Sequence, residues 1–438
     1  MDPATLAGLI LLIGIVVLIA LGVPIAVAIG LPSVLATMAL IGLDNAVVAS
    51  SQRLFTGINS FTLLAIPFFV LAGVLMNNGG IATRLIDAAK VLVGRMPGSL
   101  AQTNVVANAL FGSVSGAAVA SAAAVGGVMG PRQREEGYDR GFSASVNAAS
   151  APSGMLIPPS NTFIVYSLVS STSIAALFMA GYGPGILWAL ACMTVVFLYS
   201  RKRPELQGTD RVTFTQLLVT LRKAVPSLLM IFIVIGGILS GVFTPTESAV
   251  IAVLYCLVLG FAYRNLTVRG LPRILLEATR TTSIVTLLIG VSSALSWVMS
   301  FARIPGMISD ALLGLTDSPT VILILMMIML LVVGTFMDPT PAILIFTPIF
   351  LPIVEEFGID PVHFGIMIVF NLCVGTITPP VGNVLFIAAR VGELRVEPVI
   401  RRILPFLAAL IAVLFLVVFV PQVSLWLPTQ LGLINGGG

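Results

Sequence analysis

Nine apolar runs succeed one another along this chain, at about 5–21, 22–42, 62–77, 172–200, 226–240, 247–263, 281–301, 320–337 and 403–420. Several approach the roughly 20 residues a helix needs to cross a bilayer. In hydrocarbon every backbone N–H and C=O must find its partner inside the protein, so runs of this kind read as helices. A soluble enzyme or receptor domain tethered to a membrane is excluded by composition. Of 438 residues, 58% are hydrophobic and 9% charged, and the mean hydropathy is +1.10. An ordinary soluble domain is about one quarter charged. The length leaves room for about a dozen spans with some partial ones, which is transporter or channel size.

Charge sets orientation rather than partners. The 22 Lys and Arg lie in short connections between apolar runs, the positive-inside pattern, so the net charge of +4 does not point to nucleic acid. Tyr199 to Lys223, with Arg201-Lys202-Arg203 and Arg222-Lys223, is the strongest polar interruption and reads as a cytoplasmic linker over 201–225. No Lys or Arg precedes Arg53, so the first run is expected to be a retained span and not a cleaved signal peptide. Cys192, Cys256 and Cys373 each lie in apolar sequence without metal-ligand spacing and read as packing residues.

An internal repeat organises the rest. A shift of 221 residues places Pro131 on Pro352, Glu135 on Glu356, Gly137 on Gly358, Asp139 on Asp360, Gly154 on Gly375, and Pro158-Pro159 on Pro379-Pro380. Chance matching of apolar runs would not favour Pro, Gly and acids. The first copy carries Arg132, Arg134 and Arg140, its mate Glu355, Glu356 and Asp360, and no Lys or Arg occurs between Arg303 and Arg390. The first connection is therefore expected in the cytoplasm and the second outside, so the repeats are expected to be inverted, as in secondary transporters.

Each half also carries two breaks within apolar sequence. These are Gly112-Ser113-Val114-Ser115-Gly116 and Ser153 to Thr162 in the first half, and Gly334 to Pro341 and Gly375 to Asn383 in the second. A Pro-Pro pair removes two backbone donors and frees carbonyls at membrane depth. Freed carbonyls, half-helix C-termini and Ser/Thr hydroxyls suit a dehydrated sodium ion, whereas half-helix N-termini suit a substrate carboxylate. Asp338, an acid within apolar sequence, is a candidate for cation, proton or substrate-hydroxyl binding, or alternatively a helix N-cap ahead of Pro339. Glu247, in Phe243-Thr244-Pro245-Thr246-Glu247, reads as helix-start chemistry.

These residues together resemble the large membrane subunit of tripartite ATP-independent periplasmic (TRAP) transporters. The likeness rests on the matched Gly-x3-Pro-Pro breaks, the segment 112–116, Phe243 to Glu247 and Gly375-Thr376-Ile377-Thr378-Pro379-Pro380-Val381-Gly382, and extends over nearly the whole chain. It implies an all-α polytopic membrane protein of the ion-transporter superfamily, an inverted-repeat elevator-type transporter with two re-entrant helical hairpins and discontinuous helices. On that pattern 1–60 are N-terminal scaffold helices and 61–200 a first repeat, with a hairpin at about 100–130 and an unwound helix at 150–162. After the linker come scaffold helices at 226–280, a second repeat at 281–402 with a hairpin at about 325–352 and an unwound helix at 371–383, and a C-terminal helix and tail at 403–438.

The resemblance further implies sodium-coupled uptake of a small organic acid in a bacterial inner membrane, with at least two sodium ions as coupling ions and no other cofactor. Its implied partners are a small four-helix membrane subunit, expected here as a separate polypeptide, and a periplasmic substrate-binding protein. Sodium ligands are expected at Gly112, Ser113, Gly154 and Pro158 in one half and at Thr335, Gly375, Thr376 and Thr378 in the other; substrate contacts are expected at Ser115, Asn161, Asp338 and Asn383. Ala117-Ala118 stand where relatives are expected to carry small hydroxyl residues, which leaves fewer donors for a polyhydroxylated substrate. Proton coupling or a passive channel of the same architecture are the alternatives. An intramembrane protease lacks its parts: the one histidine, His363, lies just outside an expected span, and no His-Glu-x-x-His or phosphate-binding loop occurs.

Overall fold

The computed structural model describes residues 2–201, 203, 206, 214–307 and 318–434, and the regular structure among them is helical. Three helices open the chain: α1 (Pro3–Ala20), α2 (Ile25–Ile41) and α3 (Leu43–Ile58). A short 3-10 turn leads to α4 (Ala65–Asn78), followed by α5 (Ile81–Val93), α6 (Ser99–Ser115), α7 (Ala118–Glu135), α8 (Arg140–Ser150), the single turn α9 (Ser153–Leu156), α10 (Asn161–Ser170) and α11 (Ile174–Arg201). Then come α12 (Phe214–Leu239), α13 (Pro245–Ala262), α14 (Leu271–Phe301), α15 (Pro319–Phe336), α16 (Pro339–Glu356), α17 (Pro361–Gly375), α18 (Asn383–Val391), α19 (Val396–Phe419) and α20 (Gln422–Gln430). Eight helical segments among the described residues are long and apolar enough to cross a membrane. Of the linker expected at 201–225, residues 202, 204, 205 and 207–213 lie outside the described residues, and α12 begins within it at Phe214.

Helix ends follow local chemistry. Pro occupies the first turn of α13, α14, α15, α16 and α17, where its missing N–H costs nothing. At the start of α13 the Thr244 hydroxyl accepts from the Glu247 N–H at 3.2 Å while the Glu247 carboxylate accepts from the Thr244 N–H at 2.8 Å, a capping box. Asp139 caps α8 by accepting from the Phe142 N–H at 2.7 Å. Helices α14 and α19 begin well before the apolar runs at 281 and 403. The N-terminal two to three turns of α14 carry Arg273, Glu277 and Arg280, and those of α19 carry Glu397, Arg401 and Arg402, which a helix can hold outside hydrocarbon without unwinding.

Two packed sets of helices emerge. In one, α2, α3 and α4 lean on α14, α1 rests on α2, and α12 and α13 flank α4 and α5. In the other, α6 to α10 and α15 to α19 surround α11 and α17. Lipid chains are as apolar as leucine, so association inside a membrane relies on close approach. Accordingly Gly57 of α3 sits against Ser293 of α14, and Gly79, just past α4, against Gly260 of α13. On the lipid side α1 leaves Leu12, Ile13 and Val16 exposed. All three cysteines are buried. His363 lies within α17, not beyond a helix, and is buried with its Nε2 3.2 Å from the Val418 carbonyl.

Candidate functional site

The four breaks meet in pairs, each within its own half. Gly112, near the C-terminus of α6, touches Gly154 of α9 so closely that a Cβ on Gly112 would lie 2.5 Å from the Gly154 Cα. Gly375, at the end of α17, meets Gly334 of α15 in the same way: a Cβ on Gly375 would lie 2.5 Å from the Gly334 Cα. Only glycine permits backbones to approach to this extent. Past these contacts both chains leave helical geometry. Gly116 turns left-handed with φ 61°, and the Pro158-Pro159 and Pro379-Pro380 bonds are both cis.

The oxygens around these contacts are neutral. In the second half the Thr335 carbonyl accepts from the Gly382 N–H at 3.0 Å, the Thr376 carbonyl accepts from Val384 N–H at 3.1 Å, and the Thr376 and Thr378 carbonyl oxygens crowd Gly382. The hydroxyls of Ser113, Thr335, Thr376 and Thr378 donate to the carbonyls of Leu110, Val332, Cys373 and Val374 at 2.7–2.9 Å. A hydroxyl whose hydrogen is spent in this way keeps its lone pairs available to a cation. In the first half the Met155 carbonyl, freed ahead of Pro158-Pro159, accepts from Ser160 Oγ at 2.5 Å and Thr162 Oγ1 at 3.0 Å. Both hydroxyls lie in the break at Ser153 to Thr162, but neither is among the ligands expected from the sequence.

One cavity gathers polar groups from both halves. It has a volume of about 220 Å³, and Ser115, Asn161 and Asp338 all line it. Asn161 opens α10 and Asp338 stands at the N-cap of α16, so the positive dipole ends of two helices face the cavity; α10 brings its free first-turn N–H groups, whereas Pro339 and Pro341 leave α16 only that of Thr340. The Asp338 carboxylate makes no cap hydrogen bond and stays available. Ser115 Oγ is buried without a partner, and Asn161 packs on Gly116, its Nδ2 2.8 Å from where a Cβ there would be. Among the described residues, no Lys or Arg lines this cavity. Asn383, the first residue of α18, is not among its lining residues.

Residues that sequence reasoning passed over complete the wall. Glu277 and Thr281 of α14 lie one turn apart on one face, and Asn77 closes the end of α4. The i, i+4 spacing of Glu277 and Thr281 ahead of an apolar run was the signal available. Beneath the Gly112–Gly154 contact runs a buried amide network. Asn108 Nδ2 shares its two hydrogens among Asn104 Oδ1 at 2.8 Å, Asn147 Oδ1 at 3.1 Å and Ser150 Oγ at 2.8 Å, while Ser121 Oγ donates to Asn108 Oδ1 at 2.7 Å. It ties α6, α7 and α8 into one unit. Where α7 and α8 meet the α18–α19 turn, Arg134 and Arg140 pair with Glu393 at 3.2 and 3.5 Å.

Comparison with known proteins places this architecture. The family described as "Tripartite ATP-independent periplasmic transporter, DctM component" matches residues 12–423. Protein YgiK of Salmonella typhimurium is 53% identical over 91% of this chain and 92% of its own length. The C4-dicarboxylate TRAP transporter large permease protein DctM of Pseudomonas aeruginosa is 40% identical over 91% and 93%, and the sialic acid TRAP transporter large permease protein SiaM of Vibrio cholerae is 39% identical over 91% and 94%. Among solved structures, the Alcanivorax borkumensis YdaH transporter superposes with a TM-score of 0.59 over 89% of each chain at 14% identity, a likeness of fold alone.

Proposed function

This chain belongs to the DctM family, the large permease subunits of TRAP transporters, and on that premise we propose that it uses a sodium gradient to import a small organic acid. It is a multi-pass transporter subunit of a bacterial inner membrane and not an enzyme. The single observation that carries the substrate reading is the cavity where Ser115, Asn161 and Asp338 converge beside two helix N-termini. N-terminal N–H groups and dipole ends bind a carboxylate without a cationic side chain. Related permeases are named for sialic acid, C4-dicarboxylates and 2,3-diketo-L-gulonate, which are all carboxylates.

In this reading Gly112, Ser113, Gly154 and Pro158 form one sodium site, and Thr335, Gly375, Thr376 and Thr378 the other, with Asn383 flanking the second. Their support is the matched glycine contacts and the hydroxyls whose hydrogens are donated to carbonyls, which leaves their lone pairs free. The two halves are inverted repeats, α6–α7 and α15–α16 are re-entrant hairpins, and the polar cluster rides on a domain that slides against a scaffold built on α14. A small four-helix membrane subunit enlarges that scaffold, and a periplasmic binding protein delivers the substrate. Asn77 and Glu277 lie near Arg84, Arg264, Arg269 and Arg273 along the chain, so by the positive-inside rule the cavity faces the cytoplasm.

The test is uptake by vesicles holding this chain, its small subunit and its binding protein, with radiolabelled C4-dicarboxylates and sugar acids. An inward sodium gradient should drive saturable accumulation that potassium or choline does not. Uptake that follows a proton gradient alone, or that never saturates, overturns sodium coupling.

A further inference from the structure

A second cavity, of about 430 Å³, lies nearer the opposite end of α14. Its walls do not match. One side presents Ser292, Ser296 and Ser300 of α14 with Arg53 and Thr56 of α3 and the adjoining Ser60; the other presents Leu168 and Val169 of α10 and Leu344 of α16. Serines in membrane helices often serve close packing, and Ser293 does so against Gly57. Ser292 does not: it is 3% exposed, lines the cavity, and its Oγ has no hydrogen-bond partner. A buried hydroxyl without a partner is costly, so this wall suits a polar occupant.

The periodicity of α14 says which occupant. Glu277, Thr281 and Val285 line the first cavity, and Ser292, Ser296 and Ser300 the second. At 3.6 residues per turn these six positions share one helix face. That face therefore has a polar station at each end, with Val285 and Ile289 between them. From Thr281 to Ser296 the rise is about 22 Å at 1.5 Å per residue. We infer that the serine wall is the second station of the same track. When the polar cluster of Ser115, Asn161 and Asp338 faces the periplasm, it docks against Ser292 and Ser296, and the chamber so formed receives a small organic anion. Among the described residues lining either cavity, Arg53 supplies the one positive side chain. This inference rests on the sliding-domain reading above.

Two cysteine experiments separate the two ideas. Thr340, in the first turn of α16, lines the first cavity with Asp338 and Thr281. In membranes containing the small subunit, Thr340→Cys is paired with Thr281→Cys or with Ser296→Cys, and each pair is cross-linked by copper phenanthroline. The native cysteines are buried. Both pairs should cross-link well above the single-cysteine controls, and either bond should abolish uptake. Cross-linking to Thr281→Cys alone in a transporter that still works overturns both the station and a stroke of this length. Second, Ser296→Cys is labelled from outside with anionic and cationic methanethiosulfonates. Focusing of the Arg53 field should raise the anionic-to-cationic rate ratio about threefold or more over that of a free thiol, and Arg53→Gln should remove the excess. If both cross-links form but the ratio equals that of a free thiol, the sliding motion stands and the anion-receiving station falls.

Discussion

Replacing Gly375 with Ala probes one of the two paired glycine contacts. The new Cβ would stand 2.5 Å from the Gly334 Cα, 2.6 Å from its carbonyl carbon and 2.9 Å from its oxygen. Because these are backbone atoms, α15 and α17 must part by about 1 Å to restore a carbon contact of 3.5–4.0 Å. Overpacking of this kind costs about 1–3 kcal/mol. A metal-ion site tolerates displacements of about 0.2 Å, so the second sodium site should be lost with the contact. For a site with a Kd of about 10 mM in 100 mM sodium, RT ln(1 + [L]/Kd) is about 1.4 kcal/mol; a tenfold weaker site leaves about 0.4 kcal/mol. The assay is thermal unfolding of the purified complex in sodium and in choline at fixed ionic strength. Gly375→Ala should lower the midpoint in both salts and remove most of the sodium-specific rise that this site contributes. Gly127→Ala, on α7, whose would-be Cβ meets no described atom within 4 Å apart from its own helix backbone and chain neighbours, should do neither. If Gly375→Ala unfolds earlier yet keeps the full sodium-specific rise, the ion is not held at this contact. An unchanged midpoint refutes the contact itself.

Further predictions follow the same geometry. Asp338→Asn should raise the half-saturating substrate concentration about tenfold or more, consistent with loss of a charge-assisted hydrogen bond; full sodium-driven uptake would remove Asp338 from both the substrate and the proton readings. Asn108→Ala withdraws a side chain from four buried hydrogen bonds and should cost about 1–3 kcal/mol for each partner left unsatisfied, read as a lower denaturation midpoint with fewer folded molecules. Trp188→Phe deletes the indole N–H that donates to the Ala149 carbonyl at 2.8 Å in a fully buried position. It should lower stability by about 1–3 kcal/mol, and uptake per folded molecule should not change.

How far the chain could be read without its structure depended on whether a signal was local. Hydropathy belongs to each segment by itself, and the spans at 172–200, 247–263 and 320–337 reappear as α11, α13 and α15 within a few residues. Capping is equally local: Thr244 and Glu247 are three residues apart, and their reciprocal hydrogen bonds follow from that spacing. Charged first turns were harder to read, because a helix that leaves the hydrocarbon loses its apolar signature and keeps its hydrogen bonds. For that reason α14 and α19 are longer than their apolar runs.

Sequence by itself determined that this is a helical membrane protein and that its helices are interrupted by Gly and Pro at a few repeated places, since backbone donors, side-chain bulk and transfer energies are properties of single residues. Which interruption meets which was decided only by the fold. Gly112 touches Gly154 and Gly334 touches Gly375 because helices cross there at backbone distance, and Asn161 shares a cavity with Asp338 while Asn383 lines no part of it. Glu277 joins them from a helix that local reasoning had no cause to bring near. These are relations between segments far apart in the chain, set by how whole helices pack, and no single residue carries them.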